Sequence, residues 1–253
     1  MGKLTGKNAL VTGTSQGIGA AIARTLIGEG CNICMHYFRS KDEPEKIKEA
    51  ALDKGRKAIC LGADLTSEQE VSAFISGAVE QMGSFDILVN NSGALIERRT
   101  IQEVDLDYWY RVIDINMTTM MLVTRKILPY LNGSTGASII NNSSLAGRKG
   151  GHAGSLVYSA AKGAVLAWTR ALSQELAPGG IRVNAVAPGF IEGTSFHETH
   201  TSRESARKTI SQIPLGRSGN PDDVARAVLF LASEYDGFIT GETIDINGGV
   251  YCA

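Results

Sequence analysis

Short apolar runs alternate with longer amphipathic stretches along the whole chain. The apolar runs have the length and composition of buried strands and lie at Ala9–Thr12, Asn32–Tyr37, Ala58–Leu61, Ile87–Asn90, Ser138–Asn142, Arg182–Ala185 and Thr243–Ile246. Helical periodicity occupies the segments between them, near residues 18–29, 43–54, 67–82, 105–130, 157–177 and 221–233. This alternation predicts an α/β fold, a single doubly wound domain over residues 1–253 with a parallel seven-stranded sheet flanked by helices.

Composition adds few constraints beyond size and charge. A chain of 253 residues can form one domain with a sizeable core. Its net charge is −1, and no basic cluster is interleaved with aromatic residues, so we expect neither nucleic acid nor an anionic membrane as a partner. Signal-peptide features and long apolar runs are absent, which predicts a cytoplasmic protein that acts on a small molecule.

The chain has four cysteines, two of them in a Cys31-x-x-Cys34 pair. This spacing also occurs in redox and zinc sites. Here it falls within an apolar run that predicts a strand, and no second pair completes a zinc site. We therefore expect reduced core thiols and no metal site.

Tyr158 and Lys162 lie four residues apart in a segment with helical periodicity. Side chains at i and i+4 share a helix face, so the phenol and the ammonium can point into one cleft. A nearby cation lowers the pKa of a tyrosine, which suits it to proton transfer near neutral pH. Such a pair also arises by chance on amphipathic helices, but the small flanking residues would let another backbone or a flat ligand approach.

A glycine-rich turn, Gly13-Thr-Ser-Gln-Gly17-Ile-Gly19, joins the first predicted strand to the first predicted helix. Glycines in such a turn let the backbone approach a pyrophosphate, which binds the amide groups at the helix N-terminus. The spacing is not Gly-x-Gly-x-x-Gly, and a simple strand-to-helix connection is the alternative. No Gly-Lys-Ser/Thr follows, which disfavours a nucleoside triphosphate loop.

Polar residues follow the third and fourth predicted strands. Asp64-Leu65 comes after the third, and Asn90-Asn91-Ser92-Gly93 ends the fourth. Ligands of open α/β sheets bind at this carboxyl edge. Asp64 would either bind an adenine amine or cap the helix that begins near Ser67, and the sequence leaves both open.

The glycine turn and the Asn90-Asn91-Ser92-Gly93 segment are followed by Asn116 in a helical segment, Ser144, the Tyr158 and Lys162 pair, Pro188-Gly189 and a late Gly241 to Gly249 segment. Together, in this order, they resemble the short-chain dehydrogenase/reductase family over about residues 4–249. The resemblance implies a Rossmann-type fold and hydride transfer between a ketone or secondary alcohol and a nicotinamide cofactor. A 3-oxoacyl-[acyl-carrier-protein] reductase is one alternative, and a non-catalytic nicotinamide-binding regulator is another, although such regulators tend to lack part of the tetrad.

The resemblance implies a catalytic tetrad of Asn116, Ser144, Tyr158 and Lys162. Tyr158 would donate a proton to a carbonyl oxygen, and Ser144 would hydrogen-bond that oxygen. Ser144 is preferred to Ser143 because its spacing to Gly147 matches the family. Lys162 would also bind the nicotinamide ribose, and Asn116 would hold a water behind it.

Cofactor contacts implied by the resemblance extend along the strand ends and the catalytic helix: Gly13, Ser15, Gln16, Gly17, Ile18, Gly19, Tyr37, Arg39, Ser40, Asp64, Leu65, Asn91, Gly93, Tyr158, Lys162, Pro188, Gly189 and Ile191. Thr194 is displaced by one residue from the family's Pro-Gly-x-Ile-x-Thr pattern and is not assigned. Residues 194–212 are expected to form a lid. In this segment or just before it, Glu192, His197 and His200 would meet a polar or basic substrate or stay solvated, so the substrate class stays open.

The end of the second strand bears on the choice of cofactor. Family members that prefer NAD carry an acidic residue at the position of Tyr37, whereas here Arg39, Ser40 and Lys41 follow. A guanidinium is well shaped to bind a 2′-phosphate. Gln16 stands where many NADP-preferring members carry a second Arg. We predict that NADP(H) is preferred, with NAD(H) as the alternative.

The family also implies a homotetramer, built through the helices that bear Asn116 and Tyr158 and through the segment 221–233 with the last strand. Apolar residues of that segment support the second contact or belong to the core, namely Ala225, Ala227, Val228, Phe230 and Leu231. The loops at residues 130–138 and 177–180 contain no Lys or Arg. We therefore predict that an acidic acyl carrier protein is not the substrate carrier.

Overall fold

The computed structural model describes residues 2–133, 136–193, 203–233 and 237–252. Within them, seven parallel strands form one sheet in the order β3-β2-β1-β4-β5-β6-β7. The strands are β1 (Asn8–Val11), β2 (Asn32–Tyr37), β3 (Ala58–Gly62), β4 (Ile87–Asn90), β5 (Ala137–Asn142), β6 (Ile181–Pro188) and β7 (Thr243–Ile246). The predicted doubly wound α/β architecture is confirmed.

Helices connect successive strands in the described ranges. They are α1 (Gly17–Gly28), α2 (Asp42–Leu52), α3 (Glu68–Met82), α4 (Leu106–Ile113), α5 (Thr119–Ile127), α6 (Leu145–Lys149), α7 (Leu156–Leu176), α8 (Arg203–Ser211) and α9 (Pro221–Ala232). α1, α2 and α9 pack on one face of the sheet, and α3, α5 and α7 pack on the other. Because both faces are covered, the strands read as continuous apolar runs. No described helix is both long and apolar enough to cross a bilayer.

A cleft opens where β1 and β4 lie side by side. The chain leaves these strands in opposite directions, so their carboxyl ends are not covered by a connection. The loops after them are joined directly: the backbone N–H groups of Asn91 and Ser92 donate to Thr12 Oγ1 at 2.9 and 3.0 Å. The Asn91 side chain also donates to the carbonyl oxygens of Thr12 and Gly13, at 2.9 and 3.1 Å.

Three segments differ from the sequence prediction. The helix predicted over 105–130 is interrupted by a π-helical turn at Asp114–Thr118. β6 continues to Pro188 because it pairs with β7 as far as Ile246. Arg203–Ser211 of the predicted lid forms a helix, and residues 194–202 of that lid lie outside the described residues.

Candidate active site

A cleft of about 1490 Å³ runs along the carboxyl edge of the sheet, from the ends of β2 and β3 to the start of α7. Its volume exceeds that of a typical pocket for a drug-sized ligand and has room for a dinucleotide. Most of the predicted site residues line it, namely Gly13, Ser15, Gln16, Ile18, Gly19, Arg39, Ser40, Asp64, Leu65, Asn91, Gly93, Ser144, Tyr158, Lys162, Pro188, Gly189 and Ile191. Gly17, Tyr37 and Asn116 are not part of this lining.

Tyr158 and Ser144 meet at one end of the cleft. Tyr158, in the first turn of α7, is 8% exposed, and its phenol is hydrogen-bonded to the Ser144 side chain. Ser144 precedes α6, and its Oγ accepts from the Ala146 N–H at 3.1 Å. The neighbouring Ser143 hydroxyl instead donates to the Lys162 carbonyl oxygen at 2.7 Å. Of the two serines, Ser144 is therefore the one that contacts Tyr158.

Lys162 lies one turn further along α7 and is 3% exposed. Its Nζ donates to the Asn142 carbonyl oxygen at 2.8 Å and lies 5.8 Å from the centre of the Tyr158 ring. Burial lowers the pKa of Lys162 to about 8. The ammonium therefore keeps its proton at pH 7 beside the phenol.

The pKa of Tyr158 differs from the sequence argument, which expected Lys162 to lower it. Burial raises the pKa of Tyr158 to about 12, and the hydrogen bond with Ser144 offsets this only in part. Removing a phenolate from water costs more here than its neighbours return. In the protein without cofactor, Tyr158 is a protonated acid throughout the neutral range.

Asn116 lies behind this group, in the π-helical turn, and is fully buried. Its Nδ2 donates to the carbonyl oxygens of Val112 and Ala94 at 2.9 and 2.8 Å, and its Oδ1 accepts from the Ala94 N–H at 3.2 Å. The Asn116 side chain thus donates to the carbonyl of Val112, one turn earlier, at the place where the α-helical hydrogen-bond pattern changes to a π-helical one. A Cβ at Gly93 would lie 2.7 Å from Asn116 Oδ1 and 2.9 Å from Lys162 Nζ, so this glycine allows both side chains to approach.

The small residues around Tyr158 and Lys162 have a structural explanation. A Cβ at Gly147 would lie 2.5 Å from the Lys162 carbonyl carbon, so the α6 backbone rests directly on α7. The sequence expectation that a backbone or flat ligand lies against this helix is met here by a backbone. The contact fixes the loop that carries Ser144 relative to Tyr158.

The glycine turn has the backbone geometry that a pyrophosphate needs. Gly13 and Gly17 have positive φ values of 70° and 54°, which favour glycine. A Cβ at Gly19 would lie 2.1 Å from the Gly13 carbonyl oxygen. Gln16, the N-cap residue of α1, makes no capping hydrogen bond with its side chain, so the first amides of α1 are not capped by it. These features fit a dinucleotide phosphate at the start of α1.

Of the two roles that the sequence left open for Asp64, capping of α3 belongs to another residue. Asp64 lines the cleft, and its Oδ1 accepts from the N–H and the hydroxyl of Thr66 at 2.9 and 2.6 Å. The cap of α3 is Ser67, whose Oγ accepts from the Glu70 N–H. Asp64 therefore shapes the turn before α3 and leaves helix capping to Ser67.

At the end of β2, the cleft is lined by His36 and Phe38, which were not predicted as site residues, and not by the predicted Tyr37. Tyr37 packs its ring on Gly62 of β3, where a Cβ would lie 2.8 Å from Tyr37 Cε2. The neighbouring His36 and Phe38 line the cleft instead, and Phe38 is 54% exposed next to the Arg39 guanidinium, 5.2 Å away. Strand side chains alternate between faces, so residues on both sides of Tyr37 point the other way. The alternation of strand side chains therefore indicates, from the sequence alone, that His36 and Phe38 face the cleft when Tyr37 does not.

The segment after β6 lines the cleft at the end away from β2 and β3. The Gly189 N–H donates to the Ile246 carbonyl oxygen at 2.9 Å, and a Cβ at Gly189 would lie 2.9 Å from the Asn247 Cβ. Ile191 is 3% exposed and pairs with Gly219. Thr194, His197 and His200 lie outside the described residues. Among the described side chains, no group of three or more His, Cys, Asp or Glu residues is arranged to hold a metal.

The two cysteines of the Cys31-x-x-Cys34 pair are in the core, whereas Cys60 is half-buried and Cys252 is exposed. Cys31 and Cys34 are buried, free thiols within or beside β2. Burial raises the pKa of Cys31 to about 12. Thiols held in the protonated form are poor nucleophiles and poor metal ligands.

Comparison with known proteins places the chain among oxidoreductases over almost its full length. It is 41% identical over 251 residues to an uncharacterised oxidoreductase of Methylorubrum extorquens, which covers 99% of this chain and 100% of that protein. It is 40% identical over 245 residues to the 3-oxoacyl-[acyl-carrier-protein] reductase FabG of Staphylococcus aureus, covering 97% and 98% of the two chains. A family model described as Enoyl-(Acyl carrier protein) reductase matches residues 13–251.

Solved structures of oxidoreductases are also similar to this chain over nearly its full length. A short-chain dehydrogenase/reductase of Serratia marcescens, a double mutant, has a TM-score of 0.92 at 30% identity and covers 99% of this chain and 100% of that one. A blue fluorescent protein from a metagenomic library, in complex with NADPH, has a TM-score of 0.91 at 32% identity with the same coverage. With Tyr158 and the glycine turn on one cleft, this similarity makes the protein an NAD(P)-dependent oxidoreductase. The chain belongs to the short-chain dehydrogenase/reductase family.

Proposed function

We propose that the protein interconverts a ketone and a secondary alcohol with NADP(H), in the cytoplasm, with Tyr158 as the acid and base. The observation that carries this proposal is the hydrogen bond between Ser144 and the buried Tyr158 phenol, with the Lys162 ammonium beside the ring. A hydroxyl pair of this kind can bind one carbonyl oxygen and protonate it.

Each residue of the tetrad has its own role in the proposed reaction. When bound, the nicotinamide supplies or accepts the hydride. Tyr158, protonated at neutral pH, donates its proton to the carbonyl oxygen, while Ser144 hydrogen-bonds the same oxygen as negative charge develops. Lys162, whose pKa of about 8 keeps it charged at pH 7, stabilises the phenolate left on Tyr158. Asn116 holds the loop at Ala94 and fixes the helix behind Lys162.

Screening is the direct test. The protein would be assayed against small ketones and secondary alcohols while the absorbance of NADPH and NADH is followed. Stereospecific turnover of at least one ketone is expected. Tight NADPH binding with no turnover of any ketone, alcohol or oxoacyl thioester would favour the non-catalytic regulator, which the intact set of tetrad residues argues against.

A 3-oxoacyl-[acyl-carrier-protein] reductase is the second candidate, and the similarity to the S. aureus enzyme favours it. Docking of an acidic carrier requires basic residues near the cleft. The loops at residues 130–138 and 177–180 have none, whereas Arg98 and Lys149 line the cleft itself. We give more weight to the loops, because Arg98 already donates to the Ala153 carbonyl oxygen.

Carrier dependence can be measured directly. With a 3-oxoacyl carrier protein as substrate, kcat/KM is expected to stay within about tenfold of that for the matching free thioester, with little dependence on salt. The free thioester is the control, because it reports the chemistry without protein docking. Much faster turnover of the carrier substrate that falls steeply with added salt would establish the second candidate instead.

We also propose a homotetramer. The apolar residues predicted to form a contact on α9 fall into two groups. Ala225, Val228 and Leu231 are at most 1% exposed and belong to the core, whereas Phe230 is 45% exposed. Only the outward part can therefore support a contact with another subunit. Further exposed apolar side chains lie on α4 and at the start of α7, namely Leu106, Trp109, Tyr110 and Leu156. Patches of this kind are typical of protein interfaces.

Light scattering at micromolar concentration is expected to give four times the mass of the chain. Phe230→Glu introduces a charge into the proposed contact of α9 and should give a smaller particle, a dimer. Leu52→Glu is the control, because Leu52 is similarly exposed at 52% but ends α2, and it should leave the tetramer intact. A monomeric wild-type protein would contradict the proposal.

A further inference from the structure

His36 is a buried histidine in the wall of the cleft to which neither the tetrad nor the predicted cofactor contacts assign a role. It is the penultimate residue of β2 and is 2% exposed. Its ring meets Phe74 of α3 edge-on, with 5.3 Å between ring centroids and 69° between the planes. A histidine enclosed in this way needs a partner for each ring nitrogen.

Each ring nitrogen of His36 has a hydrogen-bond partner. The Gly13 N–H donates to His36 Nδ1 at 3.1 Å, and His36 Nε2 lies 3.0 Å from the Ala63 carbonyl oxygen. A backbone amide can only donate and a carbonyl can only accept. The ring is therefore neutral, with its proton on Nε2.

These two bonds connect turns on either side of β2. Gly13 begins the glycine turn, and Ala63 begins the turn that follows β3. The main-chain carbonyl of His36 also accepts from the N–H and the hydroxyl of Thr14, both at 2.9 Å. Asn91 holds the Gly13 carbonyl oxygen from the other side at 3.1 Å. The Gly13 amide is thus oriented by the imidazole and the Gly13 carbonyl by Asn91.

We propose that His36 is a positioning residue for the dinucleotide: its neutral imidazole holds the Gly13 amide so that the glycine turn keeps the conformation that binds the pyrophosphate. Part of the cofactor affinity then depends on the Nδ1 acceptor of His36. The substrate plays no part in this role, so it stands whichever ketone the enzyme reduces.

Protonation would abolish the contact, since Nδ1–H would face the Gly13 N–H. Burial lowers the pKa of His36 to about 4, against a smaller opposite effect of the Ala63 hydrogen bond and the Asp64 charge. Arg39 follows on the same cleft wall, while α3 and the glycine turn present the uncharged Phe74 and Gly13. The contribution is therefore complete above the ordinary pKa of 6.5 and is lost as the pH falls toward 4.

Two substitutions of His36 test the hydrogen bonds of its two ring nitrogens separately. The Oδ1 of His36→Asn can take the place of Nδ1 and accept from Gly13, whereas His36→Gln places its amide near Nε2, at Ala63, and leaves the Gly13 amide without an acceptor. In NADPH fluorescence titrations, we expect the Asn variant to stay within about threefold of wild type and the Gln variant to bind about tenfold more weakly. With saturating NADPH, kcat of the Gln variant should recover to within about threefold of wild type.

Equal affinities of the two variants, whether both weakened or both unchanged, would overturn the proposal, as would a weaker Asn variant. Should a variant fail to fold, nitrogen NMR of the wild-type protein with labelled histidine decides. The chain has four histidines, and His36 is expected as the Nε2–H tautomer. A proton on Nδ1 would also refute the role.

Discussion

Replacement of Tyr158 by Phe is expected to reduce kcat for ketone reduction by about three orders of magnitude while the dissociation constant for NADPH stays within about threefold. The substitution removes the proton that we propose Tyr158 transfers and the hydrogen bond with Ser144, but almost no volume. Steady-state kinetics and NADPH fluorescence titration measure the two effects separately.

Tyr108→Phe is a matched control for this experiment. Tyr108 is also a buried tyrosine, 2% exposed, and it packs in the same apolar cluster as Tyr158. Its hydroxyl donates to the Glu97 carbonyl oxygen at 2.7 Å, and Tyr108 is not among the described residues that line the cleft. This variant should lose about 1 kcal/mol of stability and keep most of its activity. Activity of Tyr158→Phe within about tenfold of wild type would remove Tyr158 from the mechanism.

The second large effect is expected on the choice of cofactor. Arg39→Ala should lower kcat/KM for NADPH by roughly ten- to a hundredfold and leave the value for NADH nearly unchanged, because charge-assisted hydrogen bonds to a phosphate are worth about 1.5–3 kcal/mol. Arg39 lines the cleft beside Phe38, and the 2′-phosphate distinguishes the two cofactors. Steady-state kinetics with both cofactors give the ratio.

Lys41→Ala provides the comparison. Lys41 precedes α2 and is exposed, and it is not among the described residues that line the cleft. Removal of its charge changes the local potential without removing a group from the cleft wall. A wild-type enzyme that prefers NADH, or a loss in Lys41→Ala equal to that in Arg39→Ala, would contradict the specific role of Arg39.

Much of the fold could be predicted from the sequence, for a local physical reason. Buried parallel strands require apolar runs, and the helices between them require a 3.6-residue period, so the alternation alone predicts the doubly wound sheet. The Tyr158 and Lys162 pair follows from the same helical period, and the glycine turn from the need of Gly13 for a positive φ. Each of these features depends on residues close together in the chain.

Only the tertiary structure decided the features that depend on residues from distant segments. The direction of the Tyr158 pKa depends on how much water the surrounding loops exclude, and burial outweighs the hydrogen bond with Ser144. The contact of Tyr37 with Gly62 depends on β3, and the partners of His36 come from the turns after β1 and β3. The sequence determined which groups were present, and the packing of separate strands and helices determined which of them meet.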